Sequence, residues 1–270
     1  MVMYYDRALF DRYGVAYPQP EWTWDDFVQT DQAMYDPAAG IYGYAPDFEL
    51  NDLLAVIYQN GGTIFDDLIN PTRTTFDAPK TIEAVDWYAR LMYEHQVIPT
   101  PQQARAAYGV GGYVQLGLEH GRLGMWTGMF SERGRWFRKS DWTIKWGMAP
   151  LPKGVRSATP GTVSGYAIAA NAGHPDACWA WVSFLTRQMP QNGIPARRSL
   201  LASQELEDKL GKEIATTARI SAEHIVFMSP NMYEMYDALR LYQQAIESVV
   251  DGRATAQEAL TWAQQESKYK

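Results

Sequence analysis

Gly121-Arg122-Leu123-Gly124-Met125-Trp126-Thr127-Gly128 begins the part of the sequence that is most informative about the fold. The stretch continues through Trp146-Gly147-Met148-Ala149-Pro150-Leu151-Pro152-Lys153-Gly154 and ends with Gly161-Thr162-Val163-Ser164-Gly165-Tyr166-Ala167-Ile168-Ala169-Ala170-Asn171. It contains three short apolar runs of strand length, each bounded by Gly or Pro. The Gly- and Pro-rich loops between them place aromatic and small polar groups near the strand ends. This layout is typical of a cleft that receives a small polar ligand, and it contains no recognisable reactive centre.

Several motifs of this sequence follow one another in an order that is itself informative. The stretch above supplies a Gly-basic-x-small-Met run, a Pro-x-Pro-Lys-Gly segment and a Gly/Ser-rich turn into a strand of small residues. The supporting motifs are Tyr4-Tyr5-Asp6-Arg7-Ala8-Leu9-Phe10, Trp22-Thr23-Trp24-Asp25-Asp26-Phe27, Asn60-Gly61-Gly62 and Asp251-Gly252-Arg253. Taken together and in this order, they resemble the family 1 extracellular solute-binding proteins. Those are the ligand-capturing components of bacterial ABC importers, most often for sugars.

The resemblance implies an α/β, periplasmic-binding-protein-like two-lobe fold of type II, with one lobe incomplete. It assigns residues 1–158 and 219–270 to a C-terminal-type lobe and residues 159–218 to a remnant of the N-terminal-type lobe. In the family, a signal and a lobe segment precede the Tyr4-Tyr5 motif, so we expect this chain to be truncated. We expect a truncated chain to bind weakly, to dimerise by exchanging elements, or to expose an apolar patch.

The same resemblance implies the partners and the location of the protein. The partners are a small-molecule sugar and the permease subunits of an ABC transporter. The location is extracellular or periplasmic, although the first residues, Met1-Val2-Met3-Tyr4-Tyr5-Asp6, have neither the pattern of a signal peptide nor a Cys that could carry a lipid.

Composition excludes several other classes of function. The chain has 270 residues, 46% of them apolar, and a net charge of −7 with scattered Lys and Arg, which argues against nucleic-acid binding. No apolar run approaches the length of a membrane span. The abundance of Trp and Tyr fits either an aromatic core or a carbohydrate pocket, and we expect only a minority of the rings to lie in a site.

The sequence offers no motif for a metal, a cofactor or a catalytic triad. The four His residues are far apart, Cys178 is alone, and no phosphate-binding loop has the required spacing. The sequence therefore predicts non-catalytic capture of a solute without a cofactor. Two alternatives stay open: a carbohydrate-active hydrolase with a pair of carboxylates, and a remnant or interaction domain that binds no ligand.

Local signals predict several elements. Thr23 is expected to cap a helix, Tyr42-Gly43-Tyr44 to form a strand, and Asp77 to cap a helix that has Pro79 in its first turn. Apolar residues at helical spacing predict one long helix from Asn231 to Val250. Thr255 with Glu258 predicts a capping box for the terminal helix.

Ten residues are candidates for ligand contact. Phe48 and Glu49 lie in a loop that often reaches the ligand in the family, although a turn with an N-cap at Asn51 explains this loop better. A ring just beyond the strand that contains Trp126 commonly stacks on sugar in the family, and core packing competes most strongly at Trp126. Ser164, Gly165 and Tyr166 offer a hydroxyl and backbone amides. Arg197 resembles a family arginine that can hydrogen-bond substrate, and an exposed arginine without a special role explains it equally well. The full set is Phe48, Glu49, Trp126, Phe130, Ser164, Gly165, Tyr166, Arg197, Tyr233 and Tyr236.

Overall fold

A computed structural model of the chain describes residues 1–45, 50–109, 113–136, 140–227 and 231–269. Its strands are β1 Val2–Asp6, β2 Tyr42–Tyr44, β3 Leu123–Gly128, β4 Arg135–Trp136, β5 Ser140–Asp141, β6 Trp146–Ala149, β7 Thr159–Gly161 and β8 Ile225–Phe227.

Helices occupy most of the remaining described chain. They are α1 Arg7–Tyr13, α2 Trp24–Met34, α3 Leu50–Gln59, α4 Pro79–Tyr93, α5 Pro101–Tyr108, α6 Tyr113–Glu119, α7 Pro175–Leu185, α8 Arg198–Leu201, α9 Gln204–Leu210, α10 Lys212–Glu223, α11 Asn231–Glu234, α12 Tyr236–Val250 and α13 Ala256–Glu266. Among the described residues, no helix combines the length and the apolar character needed to cross a bilayer.

A four-stranded sheet with the order β2-β3-β1-β6 organises these elements. Strand β1 is antiparallel to both of its neighbours, with Tyr4 opposite Trp126 and Met148, while β2 runs parallel to β3. The beginning of β1 therefore lies beside the ends of β3 and β6. The remaining pairs, β4 with β5 and the parallel pair β7 with β8, are small separate sheets.

Two hydrophobic clusters lie on opposite faces of this sheet. Met3, Tyr5 and Met125 face the larger cluster, which α2, α3, α4, α12 and α13 complete. Tyr4 and Trp126 face the smaller cluster, to which α5, α6, α9 and α10 contribute. Because successive side chains of a strand point to opposite faces, β1 fills both cores with large buried residues.

The local sequence signals account for much of this arrangement. Thr23 caps α2, and its side chain forms a capping box with Asp26, while Thr255 forms the same box with Glu258 at α13. Tyr42–Tyr44 is a strand, as predicted. These signals work because a capping side chain or an alternating apolar run acts on its immediate neighbours.

Three local predictions need correction. The N-cap of α4 is Ala78 rather than Asp77, because Pro79 occupies the first turn and leaves the aspartate one residue too far from the helix. The sequence from Tyr4 to Tyr13 predicts a short strand and then a turn that ends at Gly14, but the expected turn is the helix α1, which Asp6 caps. The long helix expected from Asn231 to Val250 is interrupted at Met235.

Helix α10 covers the free edge of β6. Glu213 Oε1 accepts a hydrogen bond from the backbone N–H of Met148 at 2.8 Å, and Thr217 Oγ1 donates one to the Met148 carbonyl at 3.3 Å. Glu213 also forms an ion pair with Arg7 at 2.5 Å. Side chains of this helix thus make the hydrogen bonds that a further strand would make, and they protect the edge from pairing with another chain.

Apolar side chains lie on the surface between residues 162 and 185. Helix α7 has no buried residue, and the side chains of Trp179 and Trp181 are 65% and 59% exposed. The other large exposed residues of this segment are Val163, Tyr166, Ile168 and Phe184. This is an exposed apolar patch of the kind expected above. A helix with so many large apolar side chains is usually buried, so the exposure of α7 is unusual.

The pairing of β1 with β6 depends on a glycine. Gly147 lies opposite Tyr5, and a Cβ added at Gly147 would overlap the buried Tyr5 ring. We predict that Gly147→Ala lowers the free energy of unfolding by about 1–3 kcal/mol, as overpacked cores do. Urea unfolding measures this, with Gly193→Ala as the control, because a Cβ at Gly193 meets nothing within 4 Å. Equal stability of the two variants would contradict the close packing at β6.

A buried carboxyl group in α2 makes stability depend on pH. Asp31 is fully buried against β2, where a Cβ at Gly43 would overlap it. Burial raises the pKa of Asp31 well above its ordinary value of 3.8, and the amides of Tyr44 and Gly43 offset only part of that effect. Between the two pKa values the folded state binds more protons than the unfolded state, so this carboxyl group makes stability fall as the pH rises.

We predict that Asp31→Asn removes this loss of stability. The unfolding free energy of the variant minus that of the parent chain should increase from pH 4 towards neutral pH, because the amide has no charge to desolvate. Urea unfolding at a series of pH values measures the difference, in which the contributions of the other carboxyl groups cancel. A difference that does not change with pH would show that Asp31 titrates normally in the folded chain.

Candidate functional site

A pocket opens at the edge of the sheet where β2, β3 and β6 end and β1 begins. Its volume is about 400 Å³, including the open mouth. It is lined by Met3, Trp24, Phe27, Tyr44, Asp52, Ala55, Val56, Gln59, Trp87, Tyr88, Leu91, Thr127, Leu151 and Pro152. In α/β proteins, ligands bind outside the carboxyl ends of the strands, and this pocket has that position.

Strand alternation selects the residues that face the pocket. Tyr44 is the last residue of β2, and Thr127 comes near the end of β3. Thr127 lines the pocket, whereas the preceding residue, Trp126, points to the opposite face and packs into the smaller cluster. Helix α3 begins beside these strand ends and places Asp52 in its first turn, where the exposed amides of the helix favour a carboxylate.

Asp52 is the charged residue of the pocket wall, and it is 6% exposed. The Tyr44 hydroxyl donates to Asp52 Oδ2 at 2.8 Å, and the Thr127 hydroxyl donates to Oδ1. Burial first, and then the neighbouring Asp52 carboxylate, raise the pKa of Tyr44 well above its ordinary value. Tyr44 therefore stays protonated and remains a hydrogen-bond donor throughout the physiological range.

Aromatic rings form much of the remaining wall. The rings of Trp24 and Trp87 are stacked, with centroids 4.0 Å apart and an angle of 18° between their planes. Trp24 Nε1 donates to Gln59 Oε1 at 2.8 Å, and Gln59 Nε2 donates to the Ala158 carbonyl at 3.1 Å. The wall is thus tied to the chain just before β7.

Two distant parts of the chain meet beside the pocket. Strand β7 pairs with β8 in parallel, with Thr159 opposite Ile225. The Thr159 hydroxyl donates to the Met1 carbonyl at 3.2 Å, so the beginning of β1 lies against β7. The segment that follows β7 is the exposed apolar one, so the chain leaves the sheet at the edge where the pocket opens.

The described residues among the ten predicted from the sequence do not line this pocket. Trp126 is 1% exposed and packs between Tyr4 and Trp142, and Phe130 is buried in the same cluster with the Arg133 guanidinium 4.9 Å from its ring centroid. Their role in ligand contact stays a prediction.

The other predicted residues lie elsewhere or outside the description. Ser164, Gly165 and Tyr166 are exposed on the segment after β7, and Tyr236 is exposed at the start of α12. Arg197 donates to the carbonyl and to the hydroxyl of Thr186, both at 2.8 Å. Phe48, Glu49 and the side chain of Tyr233 lie outside the described part of the chain.

The sequence held signals for some of the residues that were missed. Period-2 alternation along β3 separates Thr127 from Trp126, but it does not say which face holds the pocket. Trp24 belongs to the motif Trp22-Thr23-Trp24-Asp25-Asp26-Phe27, whose local pattern indicates only the start of a helix. Asp52 and Trp87 give no local signal, because Thr127 and Trp24, which they contact, lie far away in the sequence.

Metal binding has no support in the described part of the chain, where no group of three His, Cys, Asp or Glu side chains is arranged to hold a metal ion. The pocket offers a ligand contact with aromatic rings, with the Asp52 carboxylate and with the residues Tyr44, Tyr88 and Thr127, which carry hydroxyl groups.

Solved structures of similar fold come from several bacteria. The ABC substrate-binding protein Lmo0181 from Listeria monocytogenes, in complex with cycloalternan, is 21% identical, with a TM-score of 0.71, and the match covers 98% of this chain and 67% of that one. Maltose-bound MalE3 of T. maritima is 18% identical, with a TM-score of 0.68 and coverage of 99% and 70%. The cyclic alpha-maltosyl-1,6-maltose binding protein from Arthrobacter globiformis is 17% identical, with a TM-score of 0.73 and coverage of 98% and 68%.

These matches show the fold. The chain has the mixed α/β fold of two-lobe periplasmic-binding-protein-like structures, and it spans about two thirds of the length of these neighbours. The family model described as bacterial extracellular solute-binding protein matches residues 1–192 of the 270. The chain belongs to the family of bacterial extracellular solute-binding proteins.

Proposed function

We propose that this chain captures a sugar or a related small polar solute, without changing it chemically, for delivery to the permease of an ABC importer. The observation that carries the proposal is a pocket at the carboxyl edge of the sheet in a chain that belongs to the solute-binding family. Solved structures of similar fold contain cycloalternan and maltose, which makes sugars the first class of solute to test. Because members of the family are extracellular, we place the capture step in the periplasm or at the cell exterior.

Aromatic packing and hydrogen bonding supply the affinity in this proposal. The Trp24 and Trp87 rings offer apolar surface to the apolar faces of a sugar ring. The Asp52 carboxylate, which the Tyr44 and Thr127 hydroxyls hold in place, offers an acceptor for sugar hydroxyls at the same pocket. A mostly apolar pocket with a few polar groups in fixed positions is the usual composition of a small-molecule site.

Closure of two lobes completes the site in this proposal. In this proposal residues 1–158 and 219–270 belong to one lobe and residues 159–218 to the other, with β7 and β8 as neighbouring connections. The later part of the second segment, α9 and α10, packs on the smaller cluster of the first lobe. Ser164, Gly165, Tyr166, Arg197 and Tyr236 would then contribute contacts from outside the pocket wall. A solute that touches both lobes only in the closed form favours closure by that difference in affinity.

A thermal-shift and calorimetry screen against mono- and oligosaccharides, beginning with maltose, tests the proposal. We expect a saturable rise in melting temperature with the sugar that fits, which at 100 times its Kd corresponds to about 2.7 kcal/mol of stabilisation. Release of reducing sugar in the same samples would indicate hydrolysis instead. No response to any sugar in the panel would contradict capture of a sugar.

Substitution of Trp87 tests whether the sugar identified in the screen binds at the aromatic wall of the pocket. Trp87→Ala should raise the Kd for that sugar about tenfold, because it removes ring contacts, and Trp87→Phe should raise it less. Trp179→Ala is the matched control, since Trp179 is an exposed tryptophan of α7 that does not line the pocket. Equal losses for Trp87→Ala and Trp179→Ala would place the site elsewhere.

A further inference from the structure

The wall of the pocket has an unusual chemical balance. Five of its residues are aromatic, one is a carboxylate, and none of the described lining residues is Lys, Arg or His. The aromatic residues are Trp24, Phe27, Tyr44, Trp87 and Tyr88. The chain as a whole carries a net charge of −7, so the wider field also attracts cations and repels anions.

The polar groups of the wall are already engaged with one another. Gln59 accepts from Trp24 and donates to the Ala158 carbonyl, which uses both ends of its amide. Tyr44 and Thr127 both direct their hydroxyl hydrogens to Asp52. Few donors therefore remain for the hydroxyl groups of an incoming solute, and burying unmatched hydroxyls costs free energy.

A weakly hydrated organic cation matches this wall better than a neutral or an anionic group. Aromatic rings attract cations through their quadrupoles, and the attraction grows when the cation leaves water. The Asp52 carboxylate, 6% exposed, adds a favourable charge interaction in surroundings of low polarity. A methylated ammonium group needs no hydrogen bonds, so the engaged polar groups of the wall do not count against it.

We propose that the pocket holds a quaternary ammonium group of the captured solute, with Asp52 as the counter-charge and the surrounding rings as its cage. The inference rests on the proposed function, because it takes this pocket as part of the capture site. It narrows the solute to one that joins a hydroxylated part to a methylated ammonium group. Primary amines fit less well, because each carries three hydrogens that need acceptors.

Calorimetry with choline and with its uncharged isostere, 3,3-dimethylbutan-1-ol, tests the role of the charge. The two molecules have the same shape, so any difference in affinity reports the positive charge. We expect choline to bind at least about tenfold more tightly to the full chain. Equal affinities, or no binding of choline, would overturn the inference.

Two substitutions identify the counter-charge. Asp52→Asn keeps the shape of the side chain and should remove most of the preference for choline, with little change in affinity for the neutral isostere. Asp25→Asn is the matched control, because it removes one negative charge from an exposed position of α2 outside the pocket wall. Equal loss of the preference in both variants would show a general effect of net charge and would overturn the role of Asp52.

A second variant guards against misfolding of Asp52→Asn. Thr127→Val removes one of the hydroxyl donors that hold Asp52 and should weaken choline binding, whereas Thr127→Ser should restore it. Unchanged choline affinity in Thr127→Val would contradict the placement of the cation beside Asp52.

Titration with the sugar panel in parallel separates the two proposals. Binding of a sugar without binding of choline would support solute capture and reject the quaternary ammonium site.

Discussion

The antiparallel pairing of β1 with both β3 and β6 is the constraint on which the rest of the structure depends. It places Tyr4 and Tyr5 on opposite faces, so one strand fills the interior of both hydrophobic clusters. It also aligns the ends of β3 and β6 with the beginning of β1. The pocket at that edge exists because the strands end together and the helices α2, α3 and α4 close over one face.

The sequence predicted those features of the fold that depend on neighbouring residues. The N-cap at Thr23, the capping box at Thr255 and the strand Tyr42–Tyr44 are confirmed, because each depends on residues within one turn or one strand. The site was harder to predict. Asp52 meets Thr127 from a position 75 residues away, and the choice between Trp126 and Thr127 depends on which face of the sheet holds the pocket. Neither fact has a local signature.

The two ends of the segment between β7 and β8 behave differently. Its later part is tied to the sheet, because α10 binds the edge of β6 through Glu213 and Thr217. Its earlier part leaves Trp179 and Trp181 on the surface. The apolar patch begins where the chain leaves the edge of the sheet at which the pocket opens.

We propose that the captured solute sits against the stacked rings of Trp24 and Trp87 at the carboxyl edge of the sheet, and this contact can be tested directly. The most direct measurement is the ¹⁵N-indole NMR spectrum of the chain, which holds signals from ten tryptophans, followed during titration with the most stabilising sugar. The account predicts saturable shifts of the Trp24 and Trp87 signals, because the Trp24 indole N–H is bonded to Gln59 within the pocket wall. Saturable binding that leaves both of these signals unmoved would contradict it.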